Sequence, residues 1–148
     1  MIVILGMIAS IAIPRLGQAG SEAPEAALET DLRIVRSAIL RYAAEHDNRF
    51  PGPTALAFVK QLTRYSDASG VTNRTRTSRY RFGPYLVAIP ACPVGPNAGS
   101  TGVVIDAVNS PPRSQPSSTA GWVYNPNTGE FYANAAGVDQ AGVVLVSD

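Results

Sequence analysis

The sequence predicts an α+β fold, in which a long N-terminal helix, apolar at first and then amphipathic, packs against a small antiparallel β-sheet with long loops. Three observations carry this expectation. Residues 1–13 hold no charge, residues 26–47 place apolar side chains at helical spacing, and the C-terminal half holds short β-branched and aromatic runs between Gly, Pro, Asn and Ser. Residues 1–24 are read as the hydrophobic part of the helix with its kink, and residues 25–148 as a globular head.

The first run, MIVILGMIASIAI, has Ser10 as its only polar side chain and ends at Pro14-Arg15. It is compatible with lipid but shorter than the roughly 20 apolar residues that cross a bilayer as a helix. A cleavable signal peptide would need a basic segment before the run and a clean small-x-small site after it; neither is present, although Ala9-Ser10-Ile11-Ala12 imitates such a site and keeps that reading as an alternative. Gly17, Gly20 and Pro24 are expected to loosen or kink the helix without dividing it. Beyond them Leu28, Leu32, Val35, Ile39 and Tyr42 recur at alternating steps of four and three, which forms a single apolar stripe. The other faces carry Glu29, Asp31, Arg33, Arg36, Arg41 and Glu45, with Glu29–Arg33 and Arg41–Glu45 spaced to pair, each pair adding only about 0.2–0.5 kcal/mol. Neither Gly nor Pro interrupts residues 25–49. The helix then stops at Asn48-Arg49-Phe50-Pro51-Gly52-Pro53, because proline lacks a donor and disfavours a helical predecessor.

Residues 54–65 read as a short second helix, with Thr54 as its N-cap and Leu56, Val59 and Leu62 on one side. Residues 66–81, with Arg74, Arg76, Arg79 and Arg81, read as a solvated loop that could face an acidic neighbour. Aromatic interleaving is confined to Tyr80 and Phe82 and no recognised motif is present, so no nucleic-acid partner is expected. Tyr85-Leu86-Val87-Ala88-Ile89-Pro90 reads as a strand-like or extended run leading into a turn cluster at residues 93–97. Val103-Val104-Ile105 and Gly121-Trp122-Val123-Tyr124 are the best strands, separated by a Pro- and Ser-rich loop over residues 109–120. A Pro-Asn-Thr-Gly turn then joins Trp122-Val123-Tyr124 to Phe131-Tyr132-Ala133-Asn134 as a hairpin. Trp122, Tyr124 and Phe131 are the expected head core and, with Tyr132, are large enough to cover the helix stripe, burying about 150–250 Å² each.

Composition narrows the function. A net charge of +1 points to no polyanionic partner, and Cys92, the one cysteine, excludes an intramolecular disulfide and reads as a buried loop residue. His46 is the one histidine, so a His pair for metal is excluded, and its place near the helix C-terminus is explained by the helix dipole. No P-loop, dinucleotide fingerprint or His-Glu-x-x-His is present, and the turn Gly95-Pro96-Asn97-Ala98-Gly99-Ser100 lacks the lysine of a phosphate cradle. The chain does not read as an enzyme.

The stretch Ile4-Leu5-Gly6-Met7-Ile8-Ala9-Ser10-Ile11-Ala12-Ile13-Pro14-Arg15-Leu16 resembles the second half of the N-terminal helix of type IV pilins and pseudopilins, where an apolar run with a glycine leads into Ala-Ile-Pro. The layout of amphipathic helix followed by a turn-rich C-terminal region is also similar to that family, and the major pseudopilins of type II secretion systems are the members it most resembles. The Gly-Trp-x-Tyr, turn, Gly-Glu pattern at residues 121–130 is similar to the C-terminal strands of some pseudopilin-like proteins. The resemblance implies a pilin-like fold and a bacterial inner-membrane protein with one transmembrane pass and its head in the periplasm.

The family's basic leader, cleavage-point glycine and Phe-Thr-Leu-Ile-Glu-like opening are not in this sequence, so its prepilin methylation motif is incomplete, and Met1 is expected to be an internal methionine. By resemblance, Ile4, Leu5, Gly6, Ile8, Ile11 and Ile13 pack the filament core, with Gly6 allowing close helix approach and Pro14 supplying a bend. The implied partners are copies of this chain, other pseudopilins, an inner-membrane assembly platform and the bilayer before assembly. Major pseudopilins often hold calcium in a C-terminal loop, which draws attention to Asp139 and Asp148. Acids there are too sparse for six to eight oxygen ligands, so no cofactor is carried over. Two other readings compete: a periplasmic ligand-binding module tethered by an uncleaved signal anchor, and a small secreted hydrolase.

Overall fold

A computed structural model describes residues 2–135 of the chain, with side chains from residue 23 onward. The fold is α+β, with an N-terminal helix and two small sheets. Helix α1, Ile2–Glu45, contains Pro14, Gly17, Gly20 and Pro24 without being divided by them. Its 44 residues correspond to about 66 Å of helix. Among the described residues, no helix is long and apolar enough to cross a membrane. The expected filament-core residues Ile4, Leu5, Gly6, Ile8, Ile11 and Ile13, with Pro14, fall in the first part of α1, where side chains lie outside those described.

The stripe works as its spacing predicts: Leu28, Leu32, Val35, Ile39 and Tyr42 are all buried. The helix ends at Glu45, two residues short of the predicted amphipathic segment. Asp47 (φ 54°) and Asn48 (φ 59°) turn left-handed, and the Asn48 amide reaches back to the Ala43 carbonyl at 2.9 Å. This six-to-one bond is the Schellman stop, with aspartate where glycine is usual. It satisfies one of the terminal carbonyls and redirects the chain before the prolines are reached.

Helix α2, Ala55–Thr63, is capped as expected by Thr54, whose hydroxyl accepts from the Ala57 amide at 3.2 Å. Its buried face differs from the one predicted. Phe58 and Leu62, four apart, enter the core, whereas Leu56 is exposed. In a helix this short the apolar residues lie on several sides, and the contact is decided by which side meets α1 and the sheet. Phe58 wins because its ring fits between Tyr124 (centroids 4.3 Å apart) and Phe131 (5.8 Å).

The segment read as a plain loop contains a small antiparallel ribbon, β1 (Tyr65–Ser66) with β2 (Thr72–Asn73), and it buries Ser66 and Asp67. The arginines beyond it remain exposed as predicted. Residues 85–90 form no strand; the amides of Tyr85 and Leu86 both donate to the Leu62 carbonyl, so the run is fixed to the end of α2 instead.

The main sheet has strand order β3-β4-β5, from β3 (Val103–Ile105), β4 (Trp122–Tyr124) and β5 (Phe131–Ala133). Strands β4 and β5 are the predicted hairpin, in the register Tyr124 opposite Phe131. The expectation of an antiparallel sheet is corrected by β3, which runs parallel to β4 with Val103 opposite Trp122. The loop over residues 106–121 is long enough to return the chain to the starting end of the sheet, as a parallel connection requires. Trp122, Tyr124 and Phe131 are fully buried, and Trp122 stacks on Phe131 at 5.0 Å. Tyr132, on the opposite face of β5, is only partly buried and lies under the Arg36 guanidinium at 4.7 Å, so it does not cover the stripe.

Candidate functional site

Among the described residues, charged and polar side chains gather at the C-terminal end of α1, in the loop that follows α2, in the loop before β4 and in an open groove along α1.

At the end of α1 the His46 ring lies flat on Tyr42, with centroids 3.9 Å apart and planes within 6°. Nδ1 is 2.8 Å from the Tyr42 carbonyl, while Nε2 sits 3.1 Å from the Ser66 hydroxyl and 3.0 Å from the Asp67 carbonyl. The histidine is buried with both ring nitrogens engaged by its own chain, and it ties the helix end to the β1 segment. Beside it, the Tyr85 hydroxyl donates to the Glu45 carboxylate. Burial first, and then this carboxylate, push the Tyr85 phenol well above its usual range. Glu45 is thereby drawn to Tyr85, and the predicted Arg41–Glu45 pair is not formed; the Glu29–Arg33 pair is, at 2.6 Å and largely in solvent.

In the following loop, Asp67 is the organiser. One carboxylate oxygen accepts from the Ser69 hydroxyl (2.7 Å), the Ser69 amide (3.0 Å) and the Val71 amide (3.0 Å), and the other from Arg79 Nε (3.0 Å). The Ser69 hydroxyl above all, with Arg79 and the two amides, holds the Asp67 carboxyl at about 2, against the cost of burial. Asp106 does the same for the loop before β4, accepting from the amides of Val108, Asn109 and Arg113 and from the Asn109 side chain. These two aspartates, which organise backbone and present no carboxylate oxygen to a substrate, were not distinguished in the sequence from surface acids. Cys92 is the buried loop residue expected, its thiol 3.4 Å from the Val94 carbonyl.

An open groove of about 340 Å³ follows α1, lined by Arg33, Ile34, Ser37, Arg41, Tyr85 and Leu86 among others. Half-exposed Ile34 lies between the arginines. Such a groove suits a packed side chain or helix better than an enclosed small molecule. Among the described residues, no group of three or more His, Cys, Asp or Glu side chains is placed to hold a metal ion; Asp139 and Asp148 lie outside the described residues.

Compared with known proteins, the chain matches no family model, no curated protein and no solved structure.

Proposed function

We propose that this chain is a structural subunit of a type II secretion pseudopilus or a related type IV pilus-like filament. The observation that carries the reading is the division of labour along α1. The core stripe begins at Leu28, while the uncharged run that resembles a pilin N-terminus ends at Ile13, about 22 Å further up the same helix. One helix thus joins a segment suited to lipid or to a helix bundle to a head built on its other end.

In this reading the N-terminal helices leave the inner membrane and bundle as the filament core, with Ile4, Leu5, Ile8, Ile11 and Ile13 in contact and Gly6 permitting close approach. Extraction from lipid is offset by helix-helix packing, since between apolar helices van der Waals contact takes the place of hydrophobic burial. The heads pack around the core in the periplasm. Other pseudopilins and an inner-membrane assembly platform complete the machine, and an ATPase outside this chain drives it.

The test is cross-linking in membranes, with cysteine at Ile11 in a Cys92→Ala background, expressed from the full reading frame with the partner assembly genes present. A ladder of multimers that disappears without prepilin peptidase is expected. Monomer alone would overturn the filament and make a tethered periplasmic binding module the better account.

A further inference from the structure

The His46 ring is set between acceptors. The His46 amide bonds the Ala43 carbonyl, so the Tyr42 carbonyl, one of the last four of α1, is met by the ring instead, with Nδ1 at 2.8 Å. On the other side Nε2 is 3.0 Å from the Asp67 carbonyl and 3.1 Å from the Ser66 hydroxyl. A carbonyl oxygen only accepts, and a neutral imidazole has one N–H. In either neutral tautomer, therefore, one ring nitrogen turns a lone pair toward a carbonyl oxygen, at 2.8 Å or at 3.0 Å. The Ser66 hydroxyl can donate to Nε2 in one of these tautomers, but the Asp67 oxygen still faces the same lone pair. The imidazolium, with two N–H groups, satisfies both sides, and a cation is favoured at the C-terminal end of a helix. The groups around the ring carry charges of both signs. Tyr42 stacks on it from α1, and Tyr85, 6.5 Å away, donates to the Glu45 carboxylate. The Asp67 carboxylate is matched by Arg79, Arg81 lies over Phe82, and Arg49 is near enough to act on the Tyr42 phenol. The two carbonyls in contact with the ring decide its state.

We propose that His46 is a proton-operated clamp: as the imidazolium it holds β1, and with it the arginine loop, to the end of α1, and it lets go when one proton leaves. The proposal does not depend on the filament reading. Both roots of the loop meet at this ring. The amides of Ser66 and Phe82 each bond the other's carbonyl, at 3.0 and 3.1 Å, and the Phe82 ring lies 5.1 Å from the His46 ring. Loss of a ring proton sets a lone pair against the Tyr42 or the Asp67 oxygen, so the two roots loosen together. Wherever free histidine is neutral, the clamped chain holds a proton that the open chain lacks. The hold is therefore complete in mild acid, where free histidine is charged as well, and it weakens as the pH rises, by at most about tenfold per pH unit because one proton is linked.

The experiment is nitrogen and amide-exchange NMR on the full chain in detergent micelles, where the one histidine makes the ring signals unambiguous. At about pH 7 both ring nitrogens should read as protonated, and by about pH 9 one of them should have lost its proton. Over the same range the Ser66 and Phe82 amides, corrected for base-catalysed exchange, should exchange at least about fivefold faster relative to the Trp122 amide in β4. His46→Gln, which keeps one donor and one acceptor, should remove that dependence on pH. A single protonated ring nitrogen at about pH 7 overturns the proposal, and so does a ring still doubly protonated at about pH 9. Deprotonation that leaves both amides unchanged relative to Trp122 also overturns it, as does the same pH dependence in His46→Gln.

Discussion

The Tyr124 hydroxyl donates to the Pro51 carbonyl across 2.7 Å, inside the core. This bond joins the hairpin to the loop that leaves α1, two segments far apart in sequence, and Pro51 itself is buried. Tyr124→Phe keeps the ring against Phe58 and removes only the donor. A buried carbonyl left without a partner costs about 1–3 kcal/mol, and urea unfolding of the variant should show that loss with an unchanged denaturant slope.

Gly129 closes the hairpin turn at φ 76°, with its amide on the Asn125 carbonyl at 2.9 Å. A Cβ there would stand 2.5 Å from the Phe50 ring. Gly129→Ala combines an unfavourable backbone conformation with this clash, and the cost is at least about 1 kcal/mol. Gly129→Ala with Phe50→Leu should recover the part that belongs to the clash, read as a rise in thermal midpoint over Gly129→Ala alone.

Acid should unfold the head through its two organising aspartates. The Ser69 hydroxyl first, with Arg79 and the amides, holds Asp67 at about 2; for Asp106 burial opposes the shift, and the Arg113 and Asn109 donors outweigh it, again to about 2. Both carboxyls are depressed below their ordinary 3.8, so their contribution is complete above about pH 4 and is lost as the pH falls toward about 2. Urea midpoints measured from about pH 7 to about pH 2 should stay level and then drop. In Asp67→Asn the midpoint should be lower at neutral pH and the acid drop shallower.

Cys92 is buried, and burial pushes its thiol above the usual range. Both effects suppress the thiolate, so a thiol reagent should label the native protein only as fast as it opens, and label it at once in denaturant. Rapid labelling of the folded chain would show that the Cys92 loop is open in solution.

Much of the head was legible because its signals are local. The stripe Leu28 to Tyr42 follows from steps of three and four, the Thr54 cap from a hydroxyl before an apolar run, and the hairpin from Pro-Asn-Thr-Gly between aromatics. The misses depend on distance. That β3 lies parallel to β4 is fixed by how residues 106–121 fold back, and Asp106 does that through amides whose convergence no spacing reveals. His46 looked like a helix-end charge because its partners, Ser66 and Asp67, lie some twenty positions away. Phe58 was missed in favour of Leu56 because a nine-residue helix has too few turns for periodicity to single out one face. Of the candidate site, the arginine loop was legible as a basic cluster, whereas its attachment to the end of α1 was not.

The Arg36 guanidinium, seated on Tyr132, also donates from Nε to the Phe131 carbonyl at 3.0 Å. That places a helix side chain on the backbone of β5, and among the described residues β5 and β3 are the outer strands of the sheet, each only three residues long. Sheets with long bare margins recruit strands from other molecules and grow into aggregates. Here a foreign strand would find few free backbone groups and an arginine already on one of them. At high protein concentration such a margin should resist amyloid-like stacking.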